Sequence, residues 1–273
     1  MTVVVICLIF IIWLTSLLPN ERRQDRMKEF EGTYYAHRGL FNNDEKEPEN
    51  SMIAFKKAVL RGYGIELDVR LTKDEELVVF HDATLRRMCR IDKKVVECNY
   101  DELSEYKLLD SDETIPKLEE VIKEIDGQVP LIVEIKANKK VKKITKKLSE
   151  IMEGYKGNYC IKSFNPYVLF RYRMIRPEVL RGQLSMGYLG KKAKTTGYEV
   201  LFISCIILNL FIRPDFISVN YKMVKQWPYR LCKKLCPVTK AGWTIRSKEE
   251  LMEAEKYFQM IIFDSFIPNN KKV

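Results

Sequence analysis

The chain has 273 residues, a formal net charge of +10 and an apolar fraction of 46%, which suits one large or two small globular domains with a buried core. The seven cysteines are scattered, and Cys232 and Cys236 have no second pair and no neighbouring histidine, which argues against a disulfide scaffold or a zinc module and for reduced thiols. The positive balance favours anionic partners, phosphate esters or acidic lipid surfaces among them, while no recognised module points to nucleic acid.

Residues 1–18 carry no charged side chain, Pro19-Asn20 ends the run, and Arg22, Arg23, Arg26 and Lys28 follow. The length is at the lower edge of a membrane span. No basic residue precedes the run and no A-x-A site follows it, unlike a signal peptide. Residues 1–28 therefore read as an N-terminal transmembrane helix with a basic flank. The positive-inside rule places residues 29–273 in the cytoplasm, as the catalytic part of a single-pass protein of the cell membrane. An uncleaved export signal is the alternative.

From residue 33 strand-like and helix-like segments alternate. The strand candidates are 33–36, 64–69, 77–80, 130–135, 159–163, 181–185, 216–220, 238–244 and 260–264. Most are continuous apolar runs, as in parallel strands buried on both faces. Ser51 is placed to cap a helix over 52–61, and Ser247-Lys248-Glu249-Glu250 has the form of a capping box. Between the second and third candidates there is room only for a turn around Asp74, so these two form a hairpin. A turn centred between Asp74 and Glu75 pairs Asp68 with His81. With the hairpin counted as an extension of one strand, eight parallel strands remain. The fold class is α/β, a TIM-type (β/α)8 barrel with its active site at the C-terminal ends of the strands. Residues 83–114 break the alternation and read as a small insertion after the second strand, lying over the barrel mouth.

Two further stretches invite a membrane reading. Residues 200–212 are apolar almost throughout but too short to span; they read as a buried barrel helix or as a segment dipping into the bilayer interface. The lysine-rich stretch 136–147 reads as a solvated helix face or as a patch for anionic headgroups.

The polar residues at strand ends form one set. His37 and His81 are the only histidines. With ordinary pKa values near neutrality they suit general acid and base roles. Glu66, Asp68 and Glu134 would be costly to bury unpaired, and a hard divalent cation, Mg²⁺ or Ca²⁺, relieves that cost. Arg38 and Lys136 are suited to holding a phosphate. Taken singly, each of these is an ordinary structural feature; an E-x-D on a strand flanked by Ile65, Leu67 and Val69 is also what an amphipathic strand looks like. Together they read as metal-assisted cleavage of a phosphate ester.

An ordered series of motifs carries a family resemblance. Ala36-His37-Arg38-Gly39, Pro48-Glu49-Asn50-Ser51, Ile65-Glu66-Leu67-Asp68-Val69 and Val78-Val79-Phe80-His81-Asp82 come first. Val133-Glu134-Ile135-Lys136, Lys162-Ser163-Phe164-Asn165-Pro166, Gly242-Trp243-Thr244-Ile245 and Ile261-Ile262-Phe263-Asp264 follow. Over residues 33–268 the chain resembles the glycerophosphodiester phosphodiesterase family, and with its apolar N-terminus it resembles a membrane-anchored bacterial type. The resemblance implies a TIM-type barrel with an insertion where 83–114 lies. It implies His37 and His81 as the acid/base pair, Glu66, Asp68 and Glu134 on one divalent metal ion (Mg²⁺ or Ca²⁺, with Mn²⁺ a third choice), and Glu49 and Asn50 beside the metal. Arg38 and Lys136 would contact the phosphate, with Lys162, Phe164 and Trp243 as candidates for the substrate pocket.

The family cleaves a phosphodiester to an alcohol and glycerol 3-phosphate, and a neighbouring glycerol hydroxyl can act as internal nucleophile. Lys162 departs from the family pattern, where a neutral polar residue is usual, and the loop after Asp264 is longer. The implied partners are a glycerophosphodiester or lysophospholipid substrate and a membrane, met through the N-terminal helix and residues 200–212. The competing readings are a lysophospholipase D and an inactive membrane adaptor on the same barrel.

Overall fold

The computed structural model describes residues 21–137, 139–185, 212–225, 229–230, 233–234 and 238–269. Among the described residues nine strands form one sheet: β1 (Tyr34–His37), β2 (Gly64–Leu71), β3 (Leu77–Val79), β4 (Leu131–Ile135), β5 (Tyr159–Ser163), β6 (Leu180–Ser185), β7 (Phe216–Asn220), β8 (Thr239–Ile245) and β9 (Met260–Phe263). Their order is β1-β9-β8-β7-β6-β5-β4-β2-β3, and an additional β1–β2 pairing closes the ring. Among these nine strands β3 pairs only with β2 and runs antiparallel to it, and Val78 makes an isolated bridge to Lys117. Eight parallel strands therefore make the barrel, and the hairpin strand hangs outside, as the short β2–β3 connection requires.

Side-chain alternation divides the strands into two layers. Ile65, Leu67 and Val69 of β2 and Leu131, Val133 and Ile135 of β4 pack outward on Phe55, Leu118, Val121 and Leu148 of the surrounding helices. The intervening residues point into the lumen. Ile132 does so on β4, where it meets Tyr35, Cys160, Phe216 and Ile262 from other strands. Glu66 and Asp68 share that inward parity. The apolar residues that flank them face helices rather than water, so β2 is buried along both faces.

Local capping follows the sequence. Ser51 accepts a hydrogen bond from the Ala54 N–H at the start of helix Met52–Leu60, and Ser247 accepts one from the Glu250 N–H at the start of helix Lys248–Ala254. The insertion is less polar inside than its composition suggests. Leu85, Met88, Val95, Cys98, Leu103 and Leu108 close a small core of their own against Val78 and Phe80 of the hairpin.

The floor of the barrel is closed by the helix Glu21–Met27. Met27 and Phe30 are buried against the lumen residues Tyr35, Leu180 and Met260. Arg23 donates to Asp215 Oδ1 at 2.5 Å and Oδ2 at 2.7 Å, and to the carbonyls of Pro177 and Val179. Arg26 donates to the carbonyl of Glu178.

These contacts change the reading of the N-terminus. Among the described residues no helix is long and apolar enough to cross a membrane. That overturns the expected N-terminal transmembrane helix, and with it the membrane-anchored bacterial type, the single-pass placement in the cell membrane and the assignment of the barrel to the cytoplasmic side. The run 1–18 on which the expectation rested lies outside the described residues, as does 200–212 apart from the buried Ile212. The physical reason lies in the basic flank. Arg23 and Arg26, read as positive charges beside a membrane, are instead bonded to backbone and carboxylate groups under the barrel.

Candidate active site

The chemistry-bearing residues gather at the C-terminal ends of β1, β2, β4 and β5. Parallel pairing puts Glu66 opposite Ile132, Asp68 opposite Glu134, and Glu134 opposite Lys162. On the other side of β2, His37 is opposite Glu66. Neighbouring strands thus present Glu66, Asp68 and Glu134 to one point, where an oxygen from each lies within 4.8 Å of the others. All three are buried, at 0%, 1% and 5% exposure. Glu66 Oε1, Asp68 Oδ1 and Glu134 Oε1 accept no directed hydrogen bond. Each has a lysine ammonium as its ion-pair partner: Lys162 is 2.8 Å from Glu66, Lys136 is 3.1 Å from Asp68, and Lys136 also meets Glu134. Buried carboxylate oxygens without directed donors suit a hard divalent ion, which binds six or more oxygens and tolerates irregular angles when it is Ca²⁺.

Electrostatics keep the carboxylates ionised. Burial pushes Asp68 upward, but Lys136, His81 and Arg38 together with the hydrogen bond from Asn50 more than offset it, and its pKa falls below the usual carboxylate range. Burial likewise opposes ionisation of Glu66, and Lys162 is the largest charge that reverses it.

The two histidines are held in matching ways. His37 Nδ1 lies 2.9 Å from Asp264 Oδ2, and Arg246 donates to Asp264 Oδ1 at 2.9 Å. His81 Nδ1 lies 2.6 Å from Asp82 Oδ1, and Arg87 Nε donates to Asp82 Oδ2 at 2.7 Å. Each imidazole is thus oriented through Nδ1 by an aspartate that an arginine holds, which leaves Nε2 for chemistry. Burial opposes ionisation of Asp264, yet the hydrogen bond and charge of His37, with Arg246, bring its pKa to about 2. For His81 burial is the largest influence and lowers the pKa, which favours the neutral ring.

Arg38 sits at φ 60°, a left-handed conformation that costs a non-glycine residue about 1–2 kcal/mol. Its backbone N–H donates to Glu66 Oε2 and its guanidinium to Glu49 Oε1 at 2.7 Å, so the strained turn is tied to the cluster at both ends. Gly39 follows at φ 82°, where an added Cβ would lie 2.9 Å from the backbone of Ala54. The His-Arg-Gly sequence is what this turn demands. Asn50, also left-handed at φ 56°, donates from Nδ2 to Asp68 Oδ2 at 3.0 Å.

The structure rearranges parts of the expected site. Glu49 stands outside the three-carboxylate group and is bound by Arg38 and by both Nη atoms of Arg87. The hairpin register differs by one residue from a turn centred between Asp74 and Glu75. Val69 pairs with Val79, and the Phe80 N–H donates to the Asp68 carbonyl, so His81 lies one position beyond Asp68. Its carbonyl accepts from Arg70 Nε and Nη2, and its ring still lies within electrostatic reach of Asp68. Phe164 and Trp243 pack edge to face with centroids 6.0 Å apart. Lys162 is 2% exposed and belongs to the ionic cluster itself.

Four residues of the site had no assigned role in the sequence reading: Asp82, Asp264, Arg87 and Arg246. Asp82 directly follows His81, and Asp264 ends the last strand, so both had a positional signal. Arg87 was submerged in the polar composition of the insertion. Nothing local marks Arg246 as a partner of a residue on the neighbouring strand end.

A closed parallel barrel with histidines and buried acids gathered at the C-terminal ends of its strands is the architecture of a barrel enzyme. More specifically, the model of the glycerophosphoryl diester phosphodiesterase family matches residues 37–204. The chain belongs to that family. It is 34% identical over 154 residues to lysophospholipase D GDPD1 of Mus musculus, covering 52% of this chain and 47% of that protein. It is 33% identical over 164 residues to a glycerophosphodiester phosphodiesterase of Bacillus altitudinis, covering 56% of this chain and 66% of that one. The chain spans about half the length of the mouse relative it matches. Among solved structures, a phosphodiesterase of Oleispira antarctica in complex with the product sn-glycerol-3-phosphate superposes with a TM-score of 0.71, over 86% of this chain and 94% of that one. At 19% identity this likeness speaks for the fold alone.

Proposed function

We propose that the chain hydrolyses the phosphodiester bond of a glycerophosphodiester at a divalent metal site, with lysophospholipids as the favoured substrates. The observation that carries the hydrolytic reading is the pairing of two aspartate-braced histidines around three buried carboxylates at the barrel mouth. A divalent ion held by Glu66, Asp68 and Glu134 would supply polarisation of the phosphoryl oxygens and ease deprotonation of the attacking oxygen. His81, whose burial favours the neutral ring, takes the proton of the neighbouring glycerol hydroxyl as it attacks phosphorus, and water later opens the cyclic phosphate that forms when the alcohol leaves. His37 returns a proton to the oxygen of the departing alcohol, and Asp264 holds its ring in place through Nδ1. Arg38 and Lys136 lie at the rim of the cluster, 15% and 14% exposed, where a phosphate can reach both.

Two observations support the lipid reading over a fully water-soluble substrate. The mouse relative is a lysophospholipase D. A cleft of about 600 Å³ opens beside Asp264, between the loops after β1 and β9; Asn42, Asn43, Asp44, Glu45 and Lys57 make a polar wall and Leu40, Phe41, Phe266 and Ile267 an apolar one. The apolar wall can take an apolar substituent of the diester, with the polar wall left to its hydrophilic part. The Bacillus relative supports the second reading, a small glycerophosphodiester substrate.

The test is choline release from lysophosphatidylcholine and from glycerophosphocholine, with Mg²⁺, Ca²⁺ or Mn²⁺ added to chelator-treated protein. The expected outcome is metal-dependent release, faster from the lipid. Faster turnover of glycerophosphocholine would select the second reading. No turnover of either substrate with any of the three ions would remove the hydrolytic reading, and full turnover after chelation would remove the metal.

A further inference from the structure

Charge counting at the cluster leaves an unexpected balance. Glu66, Asp68 and Glu134 supply three negative charges, and Arg38, Lys136 and Lys162 lie against them with three positive ones. The carboxylates are therefore largely balanced by cations of the chain itself, although Arg38 also serves Glu49. The three cations are not equivalent. Arg38 and Lys136 stand at the rim, partly exposed, and Lys136 follows β4 at its end. Lys162 lies within β5, 2% exposed, with Nζ 2.8 Å from Glu66 Oε1 and 3.4 Å from Glu134 Oε2.

That ammonium bridges two of the three carboxylates from which a metal would take its ligands. A divalent ion bonds such oxygens at about 2.0–2.6 Å. An ammonium at hydrogen-bond distance from the same oxygens competes for the same lone pairs. A buried lysine also has no solvated place to retreat to, and moving it away from both carboxylates leaves a charge desolvated.

We propose that Lys162 is a resident counter-cation of the carboxylate cluster, which a divalent ion must displace from Glu66 and Glu134, so that metal binding in this chain is weak. The inference rests on the divalent-metal reading of the same three carboxylates and adds a residue that sets their affinity. Lys162 also stabilises the metal-free protein, because without it Glu66 and Glu134 face one another with one cation fewer.

The test measures Mn²⁺ binding directly, by calorimetry and by electron paramagnetic resonance of free Mn²⁺, on the full chain and on Lys162→Gln and Lys162→Met. Melting temperature with and without Mn²⁺ is a second readout. The expected result is Mn²⁺ binding at least tenfold tighter in both variants than in wild type, with a lower melting temperature in metal-free protein and a larger rise on adding Mn²⁺. A variant that folds only when Mn²⁺ is present gives the same result in another form. Equal or weaker Mn²⁺ binding in the variants overturns the role of Lys162 while leaving a wild-type metal site standing. Failure of the variants to fold even in saturating Mn²⁺ also overturns it, because the ion should replace the lost charge. If neither wild type nor variants bind Mn²⁺, the metal reading itself fails, and the proposal with it.

Discussion

The two ends of the barrel both bury charge, and they treat it in opposite ways. At the floor, Asp215 receives Arg23 through two directed hydrogen bonds and the Arg181 N–H through a third at 2.8 Å. Both of its oxygens are satisfied. At the mouth, Glu66, Asp68 and Glu134 each keep an oxygen that no directed donor reaches. A structural ion pair closes its hydrogen bonds, since an unmet buried acceptor costs about 1–3 kcal/mol. At the mouth those three oxygens meet only the ammonium groups of Lys136 and Lys162, which a divalent ion would replace in the proposed metal site. The contrast separates charge that holds the fold from charge that waits for chemistry.

The largest expected effects test the mouth. His37→Ala and His81→Ala should each lower kcat by about 10²–10⁴-fold with little change in melting temperature. Wild-type rates in both would break the assignment of the mouth to catalysis. The floor should behave in reverse. Asp215→Asn leaves Arg23 and Arg181 short of their carboxylate and should cost about 3–5 kcal/mol in urea unfolding, with kcat per folded molecule retained. A variant that is stable but slow would erase the contrast.

Asp264 sharpens it from a third position. Its folded pKa of about 2 lies below the ordinary 3.8, so it contributes stability above pH 4 that is lost as pH falls through about 2. Asp264→Asn should therefore be less stable than wild type at neutral pH by about 2 kcal/mol, and the gap should close between pH 4 and pH 2. A gap that persists unchanged into acid would mean that the contribution is not carried by the charge.

Arg87 comes next. It holds Asp82 and Glu49 from the insertion, and Arg87→Ala should lower kcat about tenfold, as loss of an outer partner of a metal or histidine site does. The expected signature is a change in the pH profile assigned to His81 without loss of folding. An unaltered profile would make Arg87 merely structural. The smallest effect belongs to its neighbour. Arg86 and Asp92 form an ion pair at 2.7 Å, but the two side chains are 72% and 78% exposed. Arg86→Ala should change stability by no more than about 0.5 kcal/mol.

Much of this site was legible before the structure. The parity of Glu66 and Asp68 on a strand and the absence of room for a helix before Leu77 both follow from local geometry. The nine strand segments appear close to their expected limits, because continuous apolar runs bounded by helix caps leave little freedom. The N-terminal region was misread because positive charge next to an apolar run has two explanations. Only the contacts of Arg23 and Arg26 with the barrel floor distinguish them. The hairpin register was misplaced by one residue because turn geometry, not composition, sets it.

By itself the sequence determined the barrel and the set of residues at its mouth, since β/α alternation and strand parity are local properties repeated along the chain. It also determined that His37, Glu66, Asp68, His81 and Glu134 lie at strand ends. Only the tertiary structure decided which charges meet. It brought Asp264 and Arg246 from the last strands to His37 on the first, and Arg87 from the insertion to Asp82 and Glu49. It also turned Lys162 from a substrate-pocket candidate into the cation between Glu66 and Glu134. Barrel closure does this by joining residues that are more than 200 positions apart, as with His37 and Asp264, a proximity that no local pattern encodes.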